Sequence, residues 1–186
     1  MKIAFLGWGS LIWDQRGLQI TGSWKNDGPS LPIEFARVSK GGRLTLVLYS
    51  DASPVSTLWA HALRTDLQQA IENLAKREDT CKNNIGFVSI QSNNYRCNVI
   101  PHILPSIKSW AKHKGLDVVV WTDLPSNFKE KTNLEFSEDN VMKYLREFKG
   151  QALRNAEEYI RKAPEQIETP IRKKLRQKFG WENIPI

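Results

Sequence analysis

The segment Gly7-Trp8-Gly9-Ser10-Leu11 is the stretch of this sequence best suited to hold an anion. Glycines let backbone N–H groups approach a negative charge closely, and Ser10 adds a hydroxyl donor. Arg37, or Arg77 further along, would pair with a carboxylate, and Trp8 is the tryptophan best placed to wall a pocket. Other chemistry finds little support. His61, His102 and His113 fall on separate elements without metal-ligand spacing, and Cys81 and Cys97 belong to no CxxC or Cys/His cluster. Neither a metal site nor a disulfide scaffold is therefore expected, and no Ser-His-Asp order or nucleophile elbow is present. Taken alone, Glu78 reads as a solvated glutamate near a helix end, and Gly-x-Gly as a strand terminus.

These residues must be positioned by the elements around them. Lys2 to Leu6 is an apolar run that stops at the glycine turn, which predicts a buried first strand. Leu31 to Val38 and Arg43 to Tyr49 read as a hairpin across Ser39-Lys40-Gly41-Gly42, and Thr57 to Leu63 as a further strand. Thr65 and Gln68 have capping-box spacing for a helix whose Leu67, Ala70, Ile71 and Leu74 share one face, with Glu78 at its end. Ile85 to Ile90 predicts a strand, with Tyr95 to Ile100 as its partner. Pro105 opens a helix stopped by Gly115, and Val118 to Trp121 suggests an interior strand. Thr122 to Leu134 is a polar connection containing Pro125, and residues 122–136 are either a lid or a passive link. Ser137 caps a helix that Gly150 bends or divides, its stripe runs to Pro164, and the basic tail forms one more. Strands in the first half and helices in the second give an α+β class with a mostly antiparallel sheet, rather than a doubly wound one.

The 186 residues suit one domain, 1–186, and 40% apolar with 25% charged residues is ordinary for a globular chain. No apolar run approaches the length of a membrane span, and the N-terminus lacks a signal-length apolar core, so a cytoplasmic location without a membrane partner is expected. The net charge of +7 draws partly on Arg172, Lys173, Lys174, Arg176 and Lys178. No aromatic residues are interleaved there, so a solvated helix face is favoured over nucleic-acid binding.

Phe5-Leu6-Gly7-Trp8-Gly9-Ser10-Leu11-Ile12-Trp13 resembles the strand and turn that open gamma-glutamylcyclotransferase-like proteins, above all their ChaC-type branch. Leu58 to Leu63, followed by a helix and Leu74-Ala75-Lys76-Arg77-Glu78, is similar in order and spacing to the family's strand, helix and catalytic-glutamate segment. Asn155 to Ile160 looks like its late helix with a Glu-Tyr pair. Two positions depart from the pattern: Trp8 stands where tyrosine is usual, and Asp79-Thr80-Cys81 where glycines are common.

The resemblance implies a compact mixed, mostly antiparallel β-barrel with flanking helices, no metal or cofactor, and release of 5-oxoproline from a gamma-glutamyl amine or peptide. Glu78 would take the proton that the substrate's α-amine loses as it attacks its own side-chain carbonyl, then return it to the departing amine. Gly7, Trp8, Gly9, Ser10, Leu11 and Arg37 would bind the substrate. Intramolecular attack leaves orientation as the main source of rate, up to roughly 7–11 kcal/mol in well-oriented cases. The alternative is a non-catalytic small-metabolite binding module on the same scaffold.

Overall fold

The computed structural model describes residues 1–184. Nine strands and six α-helices follow in the order β1 (Ile3–Gly7), β2 (Ile20–Lys25), β3 (Ser30–Val38), β4 (Leu44–Leu48), β5 (Pro54–Ser56), β6 (Leu58–Ala62), α1 (Leu67–Arg77), β7 (Ile85–Ser89), β8 (Tyr95–Arg96), α2 (Leu104–His113), β9 (Val118–Thr122), α3 (Phe128–Thr132), α4 (Glu138–Arg146), α5 (Gly150–Lys162) and α6 (Pro170–Phe179). The chain is α+β and its strand pairs are antiparallel except β1 with β9.

The strands form a six-stranded sheet in the order β2-β6-β1-β9-β7-β8 and a three-stranded sheet in the order β4-β3-β5. The expected closed barrel is thus replaced, among the described residues, by two open sheets. They join through side chains: Ala4, Leu6, Trp59, Val119 and Trp121 of the large sheet share one core with Leu31, Ile33, Phe35 and Leu46 of the small one. Alternate residues of β1 and β9, Ile3, Phe5, Val118 and Val120, pack instead with Ala70, Ile71 and Leu74 of α1. Both faces of the large sheet are covered, which is why its central strands read as unbroken apolar runs.

The predicted elements recur with local differences. Asp66, not Thr65, caps α1, its carboxylate accepting from the Gln69 amide at 2.9 Å. β8 ends at Arg96, because the Asn98 amide turns away to the Asp123 carboxylate at 2.5 Å. The 122–134 connection contains α3, whose Phe128 is buried, and is fastened to β3. The Asn127 side chain accepts from the Val38 amide at 2.8 Å and donates to the Val38 carbonyl at 3.0 Å, while Ser126 Oγ donates to the Ala36 carbonyl at 2.6 Å. This is the bonding of a surrogate edge strand, not of a lid. β2 and β5 escape a pattern search because β2 is largely exposed and β5 is a three-residue edge beginning with proline.

The basic tail is mostly spoken for. Arg172 is fully buried, Lys174 pairs with Asp139 at 2.7 Å and Arg176 with Glu168 at 2.8 Å. At the N-terminus of α6, Glu34 of β3 is 4% exposed and accepts from Thr169 Oγ1 and from the amides of Ile171 (3.4 Å) and Phe35 (2.8 Å). Burial raises its pKa against these hydrogen bonds, which lower it. The folded chain therefore keeps this proton to higher pH than the unfolded chain does. Stability should fall as pH rises from the ordinary carboxylate value through the raised one, and Glu34→Gln should flatten that part of the profile in urea unfolding across pH. Asp123, also buried and raised, sets the residual slope.

Candidate functional site

The turn after β1 and the end of α1 meet on one cavity of about 320 Å³. Trp8, Gly9, Ser10 and Leu11 line it from the turn, Arg37 from β3, and Arg77 and Glu78 from the end of α1. Gly7 does not reach it. A side chain there would stand 2.8 Å from the Trp24 ring and 2.9 Å from Ile12, so this glycine serves packing. The backbone bonds that close the turn run from the Ile12 amide to the Gly9 carbonyl (3.1 Å) and from the Asp14 amide to the Ser10 carbonyl (2.9 Å). They leave the amides of Gly9, Ser10 and Leu11 without an acceptor among the described residues.

Arg77 ties the two halves together. It is 3% exposed, and its guanidinium donates to Glu78 Oε1 at 2.6 Å, to Ser10 Oγ at 3.1 Å and to the Asp14 carbonyl. Sequence reasoning offered Arg77 or Arg37 for a bound carboxylate. Arg77 is committed to protein partners, whereas Arg37 spends one donor on the Pro125 carbonyl at 2.6 Å and keeps others. Glu78 itself caps α1, its amide bonded to the Leu74 carbonyl at 2.9 Å, and its side chain is 19% exposed.

Two contributors were not picked out as site residues. Tyr159 of α5 appeared only within a pattern, yet it lines the cavity from below the turn, its hydroxyl accepting from the Leu46 amide at 3.4 Å. Burial pushes its pKa up to about 12, so the hydroxyl keeps its proton at neutral pH. Arg43, just before β4, lies over the Tyr159 ring at 5.8 Å. The sequence places it at the start of a strand, where nothing singles it out as a site residue. At the rim, Lys40 in the β3–β4 turn pairs with Asp79 at 2.5 Å, and Lys40 lowers the pKa of that carboxylate. Trp8 lines the cavity, while Trp59 lies in the core with its indole N–H on Asp27 at 2.7 Å.

Gly9 has a steric reason for being glycine: an added Cβ would stand 2.5 Å from the Tyr159 hydroxyl but 3.5 Å from Cζ. Gly9→Ala should therefore lower the thermal midpoint by an amount worth about 1–3 kcal/mol, as overpacked sites do. Adding Tyr159→Phe removes the clashing oxygen and should restore most of the loss. A double-mutant cycle by thermal unfolding reads this directly, and additive losses would contradict the geometry.

The described residues hold no group of three or more His, Cys, Asp or Glu that could bind a metal, and no helix long and apolar enough to cross a membrane. No protein-family model matches the sequence, and neither a curated protein nor a solved structure was found to match it.

Proposed function

We propose that this chain is a cofactor-independent, gamma-glutamylcyclotransferase-like enzyme that releases 5-oxoproline from a gamma-glutamyl amine or peptide. The observation that supports this most is that Glu78 and the unused amides of Gly9 to Leu11 belong to one cavity, with Arg77 bonded to both Glu78 and Ser10. A carboxylate beside a set of donors is what an internal acyl transfer requires.

In the reaction, the substrate's α-nitrogen attacks its own side-chain carbonyl carbon, forming the ring C–N bond. Glu78 takes the proton that this nitrogen sheds. The amides of Gly9 to Leu11 and the protonated Tyr159 hydroxyl face the oxygen as it gains charge. When the tetrahedral centre collapses, the bond to the outgoing amine breaks and Glu78 delivers the proton to it, so no water or redox partner is consumed. Arg37 pairs with the substrate's α-carboxylate. Arg77 fixes the Glu78 rotamer, a positioning role. In this reading the two sheets around their shared core stand for the family's compact barrel, and the free Cys81 and Cys97 accord with a cytoplasmic setting.

The test is a panel of gamma-glutamyl amines and dipeptides incubated with the protein and assayed for 5-oxoproline by mass spectrometry. Release from at least one compound is expected. Absence of release across the panel would overturn the enzymatic reading, and binding without release would favour the ligand-binding module instead.

A further inference from the structure

The cleft holds more positive charge than one glutamyl head group can use. Of the five cations lining the first cavity, Arg16 pairs with Asp14 at 3.1 Å, Lys40 with Asp79 at 2.5 Å and Arg77 with Glu78 at 2.6 Å. Arg37 and Arg43 have no carboxylate within 4.0 Å among the described residues. A gamma-glutamyl group carries a single α-carboxylate, which one guanidinium satisfies. The other is left over.

Arg43 is the one that stands at a boundary. A second cavity of about 450 Å³ adjoins the first, and the two share Ser10, Arg16, Arg43 and Tyr159 as walls. Its far side is built by α5 through Asn155, Glu158 and Lys162. There Glu158 is bonded to Lys162 at 2.6 Å, and Asp14 to Arg16, so Arg43 is the cation of this second cavity without a carboxylate partner among the described residues. Its guanidinium is braced against the Tyr159 ring, which limits its freedom without consuming its N–H donors.

Resting on the function proposed above, we infer that Arg43 is a specificity-determining residue that binds an oxyanion on the outgoing amine and directs that part of the substrate from the first cavity into the second. The substrate class is then a gamma-glutamyl amine whose leaving portion carries a carboxylate or a phosphate. Neutral alkylamines bind with Arg43 unpaired and are the poorer substrates. The polar wall of Asn155, Glu158 and Lys162 suits a hydrated leaving group rather than an apolar one.

The experiment compares gamma-glutamylglycine, its neutral amide gamma-glutamylglycinamide, and gamma-glutamyl-O-phosphoethanolamine in the wild type, Arg43→Gln and Arg43→Lys. Turnover is read as 5-oxoproline and binding by calorimetry. Arg43 is exposed, and an unchanged thermal midpoint establishes that each variant is folded. The wild type should favour one or both anionic compounds over the amide by about tenfold in kcat/KM, Arg43→Gln should erase the preference, and Arg43→Lys should keep part of it. Whichever anionic compound shows the larger effect identifies carboxylate or phosphate as the group recognised. Turnover without a charge preference, or a preference that survives Arg43→Gln, would overturn the assignment while leaving the cyclisation intact. If no compound is turned over, tighter binding of an anionic compound that Arg43→Gln abolishes would uphold Arg43 and sink the enzymatic reading alone. Binding indifferent to both charge and Arg43 would sink the assignment.

Discussion

Glu78→Gln is expected to lower kcat for 5-oxoproline release by about 10²–10⁴-fold, the usual worth of a positioned proton-transfer group, with KM changed only a few-fold. The amide oxygen can still accept the Arg77 hydrogen bond, which is 2.6 Å long in the parent, so the rotamer and the cavity survive while proton transfer does not. That separation is the value of the substitution. Arg77→Met is a different experiment, because it strips the bonds to Glu78, Ser10 and Asp14 from a buried site and will cost stability along with rate. A Glu78→Gln enzyme retaining more than about a tenth of the parent kcat would remove Glu78 from the mechanism.

Arg172→Met should be the most damaging single change to the fold. The arginine is completely buried in α6 and donates to the carbonyls of Ile160 (3.3 Å), Pro164 (2.6 Å), Ile167 (3.1 Å) and Ala163. The Ile160 carbonyl belongs to the last turn of α5 and the other three follow it, where helical partners have run out. Burial lowers the Arg172 pKa to about 10, still far enough above neutrality to keep the charge. Methionine fills similar space but leaves the buried Ala163 and Ile167 carbonyls without a donor among the described residues, and takes the second donor from those of Ile160 and Pro164. The expected loss is about 3–5 kcal/mol, or roughly 6–20 °C in thermal midpoint for a chain of this size. Lys173→Met, exposed on the same helix, should stay within about 0.5 kcal/mol of the parent. Because Tyr159 precedes Ile160 on α5, loosening this end should also disturb the floor of the cleft. Reduced occupancy of the folded state and a raised KM are both expected in Arg172→Met at temperatures below its transition.

Much of this architecture was legible because its signals are local. Three valines at 118–120 announced an interior strand, and β9 lies between β1 and β7. The apolar face of Leu67, Ala70, Ile71 and Leu74 gave α1, and Ser137 caps α4 as its type predicts. What stayed hidden depends on contacts between distant residues. Gly9 looked like a donor turn, yet its bareness is demanded by Tyr159, 150 positions later in the chain. Arg77 and Arg37 were indistinguishable as sequence, since only packing decides which guanidinium is consumed by Ser10, Asp14 and Glu78. Arg172 sat in a run of basic residues that gave no reason to single it out for burial. Closure of the barrel was an inference from pattern, and strand pairing, which periodicity does not encode, decided against it.

The opening strand lies in the middle of the large sheet, flanked by β6 and β9. Its amides and carbonyls therefore wait for partners that are synthesised 57 and 115 positions later, as the pairings Ala4 with His61 and Ile3 with Val118 imply. A nascent chain cannot complete this sheet until β9 has left the ribosome, and a fragment ending before Val118 would present β1 as a bare apolar edge open to self-association. Such distant pairing also predicts slow refolding, and the parallel contact, the most distant of the strand pairings, is the natural last of them to form.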